Sequence, residues 1–241
     1  MDTLHTRQSE RATAVAAAMP AGLGDRLTDS PARSAMANRV LRNAYALLGM
    51  TLMFSAAVAG LGVMMQWPAP GLLLSLAGSF GLLFLVHAMR NSGWALPAVF
   101  AFTGFMGYTI GPVIAKTLSW SGGAQVVALA LGTTGLATLA LSAWALNSKR
   151  DFSAWGGMLF AGLIVALVAG LAAVFLQMPA LGLAVSAMVA LLAAGMILVE
   201  TSRIVSGGET NYVMAAVGLY VSIFNLFSSL LALFGIGGSN E

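Results

Sequence analysis

The chain contains no cysteine, and it is nearly as poor in charge: Asp, Glu, Lys and Arg make up only 8% of its 241 residues. The first absence excludes disulfides and thiolate catalysis and removes any redox clue to compartment. The second sets the chain apart from soluble globular proteins, in which about 25% of residues are charged. Between Phe152 and Val199 no ionisable residue occurs at all. Zinc-protease HExxH, nucleophile-elbow GxSxG and P-loop patterns are also missing, so the positive case for an enzyme is thin and no cofactor is called for.

What is present is apolar. Hydrophobic residues are 59% of the chain, and a run of about 20 of them already crosses a bilayer as an α-helix. The sequence therefore predicts an all-α integral membrane protein. Its net charge of +3 invites an anionic partner, but the arginines stand where apolar runs end. Membrane topology explains them there, and a nucleic-acid partner is not expected.

Residues 1–35 are the exception to this character. They carry Arg7, Glu10, Arg11, Asp25, Arg26, Asp29 and Arg33 among alanine, glycine and proline, and read as a flexible, solvated tail. The alanine-rich piece from Ala12 to Ala18 lacks the leucine-rich core of a signal peptide, so cleavage is not expected. The tail is either a cytosolic handle for a partner or a plain unstructured extension.

Punctuation divides residues 36–241 into seven transmembrane helices. Pro68, Pro70 and Pro179 oppose helix continuation. Charged or glycine-rich breaks at 90–93, 116–123, 148–151 and 203–209 supply the rest, giving spans at 43–65, 71–89, 94–115, 125–147, 156–176, 180–203 and 211–235. Arg33, Arg39 and Arg42 precede the first span, and Arg90, Lys149, Arg150 and Arg203 follow the second, fourth and sixth. The other loops hold only Lys116. The positive-inside rule then places the N-terminus in the cytoplasm and the C-terminus outside.

Two helices carry small-residue faces suited to close packing in lipid. In the third, Gly104, Gly107 and Gly111 share a face, and Pro112 is expected to end or bend the helix. In the seventh, Gly218, Ser222, Asn225 and Ser229 align in one stripe. An asparagine amide facing hydrocarbon lacks partners, so this stripe should turn inward and make helix seven central.

Glu200 follows the long uncharged run, near the end of helix six. There a carboxylate meets the negative end of the helix dipole and wants a cation, and Arg203 is one turn away. One reading is an interfacial ion pair without further role. The other is a carboxylate facing helix seven that gates or binds a cation, the default reading of an acidic group at that depth. His87, ending helix two, has no second ligand at metal spacing and is read as an interfacial or bundle histidine. Gly235-Ile236-Gly237-Gly238 is read as a terminal fray, since no strand precedes it.

Several strings closely resemble the Bax inhibitor-1 family: Val40-Leu41-Arg42-Asn43-Ala44-Tyr45, the run from Phe102 to Pro112, and Asp151-Phe152-Ser153 before Gly156-Gly157. So does the signature from Glu200-Thr201-Ser202 through Gly207-Gly208-Glu209-Thr210-Asn211-Tyr212 to Leu219-Tyr220-Val221-Ser222-Ile223-Phe224-Asn225-Leu226-Phe227. The resemblance runs from about residue 38 to the end and is similar to a bacterial branch in particular. It implies a seven-helix fold whose last helix is surrounded by the other six, in a bacterial inner membrane.

It also implies two functions. Bacterial members bind the membrane-anchored ATP-dependent protease FtsH through a part played by their cytosolic tail, resist degradation by it, and hold back turnover of other membrane proteins. Calcium-leak members use one aspartate at the end of helix six and another in helix seven as a pH-sensitive latch. Those positions here are Glu200 and Ser222, so the second acid is missing. Two adjacent carboxylates couple and share a proton, whereas a lone glutamate has no such partner. The expected function is therefore modulation of FtsH. The alternative is a calcium or proton leak with Glu200 as pH-sensitive gate, lined by Ser222 and Asn225 beside Arg203.

Overall fold

Seven helices, each long and apolar enough to cross a membrane, make up the described residues of the computed structural model, which are 31–148 and 150–237. They are α1 (Pro31–Met64), α2 (Leu72–Met89), α3 (Ala95–Leu118), α4 (Gly123–Asn147), α5 (Gly156–Phe175), α6 (Pro179–Val205) and α7 (Tyr212–Gly237), with a 3-10 turn at Ser153–Trp155 before α5. Even α2, the shortest at 18 residues, rises about 27 Å at 1.5 Å per residue, close to the thickness of a hydrocarbon core.

Boundaries depart from the sequence expectation in four places. The first helix begins at Pro31, well before residue 43; its apolar span starts at Met36, and Val40 already lies in the core. Pro112 does not end α3, which runs on to Leu118. The helix loses one backbone bond at the proline, and its packing against α1 keeps the rest in place. The sixth helix continues past Arg203 to Val205, and α7 stays helical through Gly237 instead of fraying at Gly235. Residues 1–30, most of the expected tail, lie outside the described residues.

The hairpins α1–α2 and α5–α6 share one construction. Gln66 and Gln177 both sit in the left-handed region at φ 51°. Trp67 N donates to Gly62 O at 3.0 Å and Met178 N donates to Ala173 O at 2.9 Å. This is the hydrogen bond that closes a helix with one left-handed residue, and the proline that follows prevents continuation. The pattern Val-x-x-Gln-x-Pro-Ala-x-Gly-Leu-x-x-Ser spells it twice, at 63–75 and at 174–186. All five tryptophans, at 67, 94, 120, 144 and 155, stand at or beyond span ends, where an indole bridges lipid and water.

Helix α7 lies in the middle, packed against α1, α3, α4 and α6. The wrapping expected from six companions comes from these four. The outer α2 and α5 lean chiefly on α3 and α6 respectively. Burial on all sides of α7 marks a central helix: Val213, Ala215, Ala216, Val217, Leu219, Tyr220, Leu226 and Leu231 all belong to the core. The expected glycine face of α3 receives α1. A methyl group on Gly111 would stand 3.2 Å from Ala59 O, and one on Gly107 would strike the backbone carbonyl of Ser55. Lipid gives no hydrophobic drive between helices, so such backbone contact is what holds α1 to α3.

Candidate functional site

The last turns of α6 bring the candidate residues together, at the end of the bundle that also carries Arg90 and Arg150. Each side chain of Glu200-Thr201-Ser202 is buried and reaches a different neighbour. Successive helical residues point about 100° apart, so three in a row can serve three elements. Thr201 Oγ1 lies 3.1 Å from Tyr45 Oη of α1 and 3.5 Å from Ser142 Oγ of α4. Ser202 Oγ accepts from Phe152 N at 3.0 Å and donates to Asp151 at 3.4 Å, docking the α4–α5 loop.

Glu200 faces α7. Its carboxylate covers Gly218, where a Cβ would meet Cδ at 3.0 Å and Oε2 at 3.1 Å. A methyl group there would be tighter than ordinary van der Waals contact, so glycine gives the carboxyl group room against the backbone of α7. At 8% exposure, Glu200 is sheltered from bulk solvent and its oxygens are directed inward. Arg203 Nη1 lies 3.5 Å from Glu200 Oε1, and Arg203 Nη2 lies 4.0 Å from Glu209 Oε2. The arginine side chain is 41% exposed and that of Glu200 10%, so the pair joins a half-exposed cation to a buried carboxylate.

The remaining sequence-derived residues are arranged differently from one another. Ser222 is buried one turn along α7 from Gly218, but its hydroxyl donates to Gly218 O at 3.0 Å and so belongs to its own helix. Ser229 is buried as well, whereas Asn225 is half-buried. Among the described residues, Asn225 contributes its backbone carbonyl, which accepts from Ser228 Oγ at 3.2 Å. The structure thus brings Glu200, Arg203 and Gly218 into contact, with Ser222 adjacent and Asn225 further down the stripe. His87 stands exposed at the end of α2 beside Arg90. No group of three metal-ligating side chains occurs among the described residues. One carboxylate is also far short of the six to eight oxygens calcium takes in a fixed site.

Two polar clusters were not anticipated. Deep in the bundle, Tyr220 Oη lies 2.7 Å from Ser55 Oγ of α1 and donates to Thr103 O of α3 at 3.3 Å. Its ring meets Phe102 edge-on and stacks on Phe224. The pair is separated by 165 residues, and no spacing in the sequence announces it. At the loop, Gly207 adopts φ 74°, and Gly208 N and Glu209 N both donate to Arg203 O. Asn211 then caps α7: its Oδ1 accepts from Val213 N at 2.9 Å, and its Nδ2 donates to Arg90 O and Asn91 Oδ1. Recognising Asn before the helix as a cap would have found this junction.

In the α4–α5 loop, Asp151 accepts from the Ser153 hydroxyl and backbone N–H and from Ser202. These donors hold its carboxyl below the ordinary aspartate range, the Ser153 hydroxyl first.

Comparison with known proteins places this architecture. A protein of Escherichia coli named Modulator of FtsH protease YccA is 48% identical over 198 residues, covering 82% of this chain and 90% of that protein. A second Escherichia coli strain has the same degree of match in a protein named Inner membrane protein YccA. An uncharacterized membrane protein of Vibrio cholerae is 42% identical over 89% of this chain and 96% of its own length. Residues 37–239 match the family described as Inhibitor of apoptosis-promoting Bax1. The chain belongs to the Bax inhibitor-1 family, as a multi-pass membrane protein.

Proposed function

We propose that this chain is a non-enzymatic inner-membrane protein that binds and modulates an FtsH-type ATP-dependent protease. The observation that carries the reading is the 48% identity to the modulator YccA over 198 residues, 82% of the chain. The asymmetry of charge supports a cytoplasmic N-terminus and a periplasmic C-terminus: Arg39, Arg42, Arg90, Arg150 and Arg203 gather at one end and Lys116 stands at the other. In that orientation residues 1–35 and the loops around Asp151 and Glu209 face the compartment of the protease's ATPase. The test is copurification of FtsH from detergent-solubilised membranes. Full-length chain should retain the protease and a chain lacking residues 1–30, which leaves α1 whole, should not. Equal recovery by both removes the tail from the contact, and recovery by neither removes the partner.

The burial of Glu200 against Gly218 favours one further reading, a cation path for calcium or protons that passes Glu200, Ser222 and Asn225, with Arg203 as the counter-charge. Flux from calcium-loaded vesicles tests it. A rate unchanged by Glu200→Gln removes that carboxylate from the path, and absence of flux removes the path.

A further inference from the structure

Helix α2 packs chiefly against α3, and its end is tied to the start of α7 by Asn211 Nδ2, which donates to Arg90 O and Asn91 Oδ1. Phe105 of α3 lies against Gly78, where any Cβ would strike its ring, and Ser79 Oγ points at Met106 Sδ at 3.4 Å. Leaning on α3 in this way, α2 leaves a groove of about 500 Å³ between its other flank and the start of α7, lined by Phe80, Leu83, Phe84, His87 and Met214. Phe80 and Phe84 are 53% and 74% exposed, so the groove opens on the lipid-facing surface. A cation stands at its rim: Arg90 folds back until its Nη1 lies 3.4 Å from His87 Nε2. Among the described residues Arg90 has no carboxylate partner, the only ion pairs being those of Arg203.

The geometry points to a binding site for one anionic phospholipid, its phosphate on Arg90 and His87 and an acyl chain in the groove. An apolar groove inside a bilayer is filled by lipid unless a protein surface displaces it. Lipid is as apolar as leucine, so nothing hydrophobic drives a second chain into that place. The rim selects among lipids. The end of α2 that carries Arg90 is the headgroup level, where an arginine favours phosphate-bearing, net-negative lipids. A lipid seated there touches α2 and Met214 of α7 together, and so adds to the contacts with α3 that hold α2. The site is independent of Glu200 and of the FtsH reading.

Native mass spectrometry of the full-length protein in detergent, titrated with phosphatidylglycerol or phosphatidylcholine, tests the site. Phosphatidylglycerol should bind about fivefold more tightly, the effect of one basic side chain at a membrane surface, and should raise the melting temperature. Arg90→Gln should abolish that preference, Arg90→Lys should restore most of it, and Leu83→Trp, which fills the groove, should weaken both lipids. Arg150→Gln, at the same membrane level but away from the groove, should change nothing. Equal affinity for the two lipids overturns the proposal, as does a preference lost equally in the Arg150 variant or a protein dimer appearing in place of the lipid adduct. Glycerol phosphate added alone should not compete; full competition by it would mean a simple phosphate site and would also overturn the proposal.

Discussion

Replacing Tyr220 by phenylalanine removes one oxygen from the centre of the bundle and leaves the ring against Phe102 and Phe224. The lost hydroxyl has one short partner, Ser55 Oγ at 2.7 Å, and one long one, Thr103 O at 3.3 Å. A buried hydroxyl stripped of its partner costs about 1–3 kcal/mol. Two facts lower that figure here. Ser55 can turn to the carbonyl one helical turn back, and hydrogen bonds between membrane helices contribute about 0.6 kcal/mol on average and about 1.7 at most. The expectation is therefore a loss of about 1 kcal/mol for Tyr220→Phe and a similar loss for Ser55→Ala, with the double variant costing less than their sum. Reversible unfolding in mixed micelles under increasing SDS measures all three. Tyr220→Ala, which also empties the ring's volume, should cost about 3–5 kcal/mol. Strict additivity of the two conservative changes would refute the claim that Tyr220 ties α7 to α1.

Gly107→Ala should destabilise by about 1–3 kcal/mol, because a backbone carbonyl of α1 occupies the place of the new methyl and cannot step aside; Gly132→Ala, with open space around it, should stay within about 0.5 kcal/mol, and thermal melts in detergent compare the two. Asp151 titrates below its ordinary value when folded, so its contribution is complete above the ordinary carboxylate range and fades as pH falls through the lower folded value. Asp151→Asn should thus lower the melting temperature slightly at neutral pH and flatten its decline in acid. An unchanged acid profile would remove Asp151 from the docking of the α4–α5 loop.

Hydrophobic runs and proline positions made all seven helices legible, since lipid demands long uninterrupted spans and charge marks where they stop. The same reasoning under-reads helices that continue past a charged residue. Arg33, Arg39, Arg42 and Arg203 read as span ends, yet the backbone simply carries on through them as α1 and α6. Pro112, expected to end or bend α3, does not end it, because a proline costs one hydrogen bond and the packing of Gly107 and Gly111 on α1 outweighs it. At the site, the sequence left Glu200 open between an ion pair with Arg203 and a carboxylate facing helix seven, and the structure shows both contacts. That the carboxylate rests on Gly218, while Ser222 bonds its own helix, depends on the rotation of α7, which a stripe of small residues leaves open by a full turn. The Tyr220–Ser55 pair was illegible because it joins helices far apart in the chain, and the repeated Gln-x-Pro-Ala turns were legible only by laying 63–75 beside 174–186.

The central claim is that this chain restrains a membrane protease through its cytoplasmic face, and the half-life of an FtsH membrane substrate in cells tests it most directly. Expressing the full-length chain should lengthen that half-life, and expressing the chain without residues 1–30 at the same level should leave it at the baseline. A half-life unmoved by the full-length protein contradicts the account.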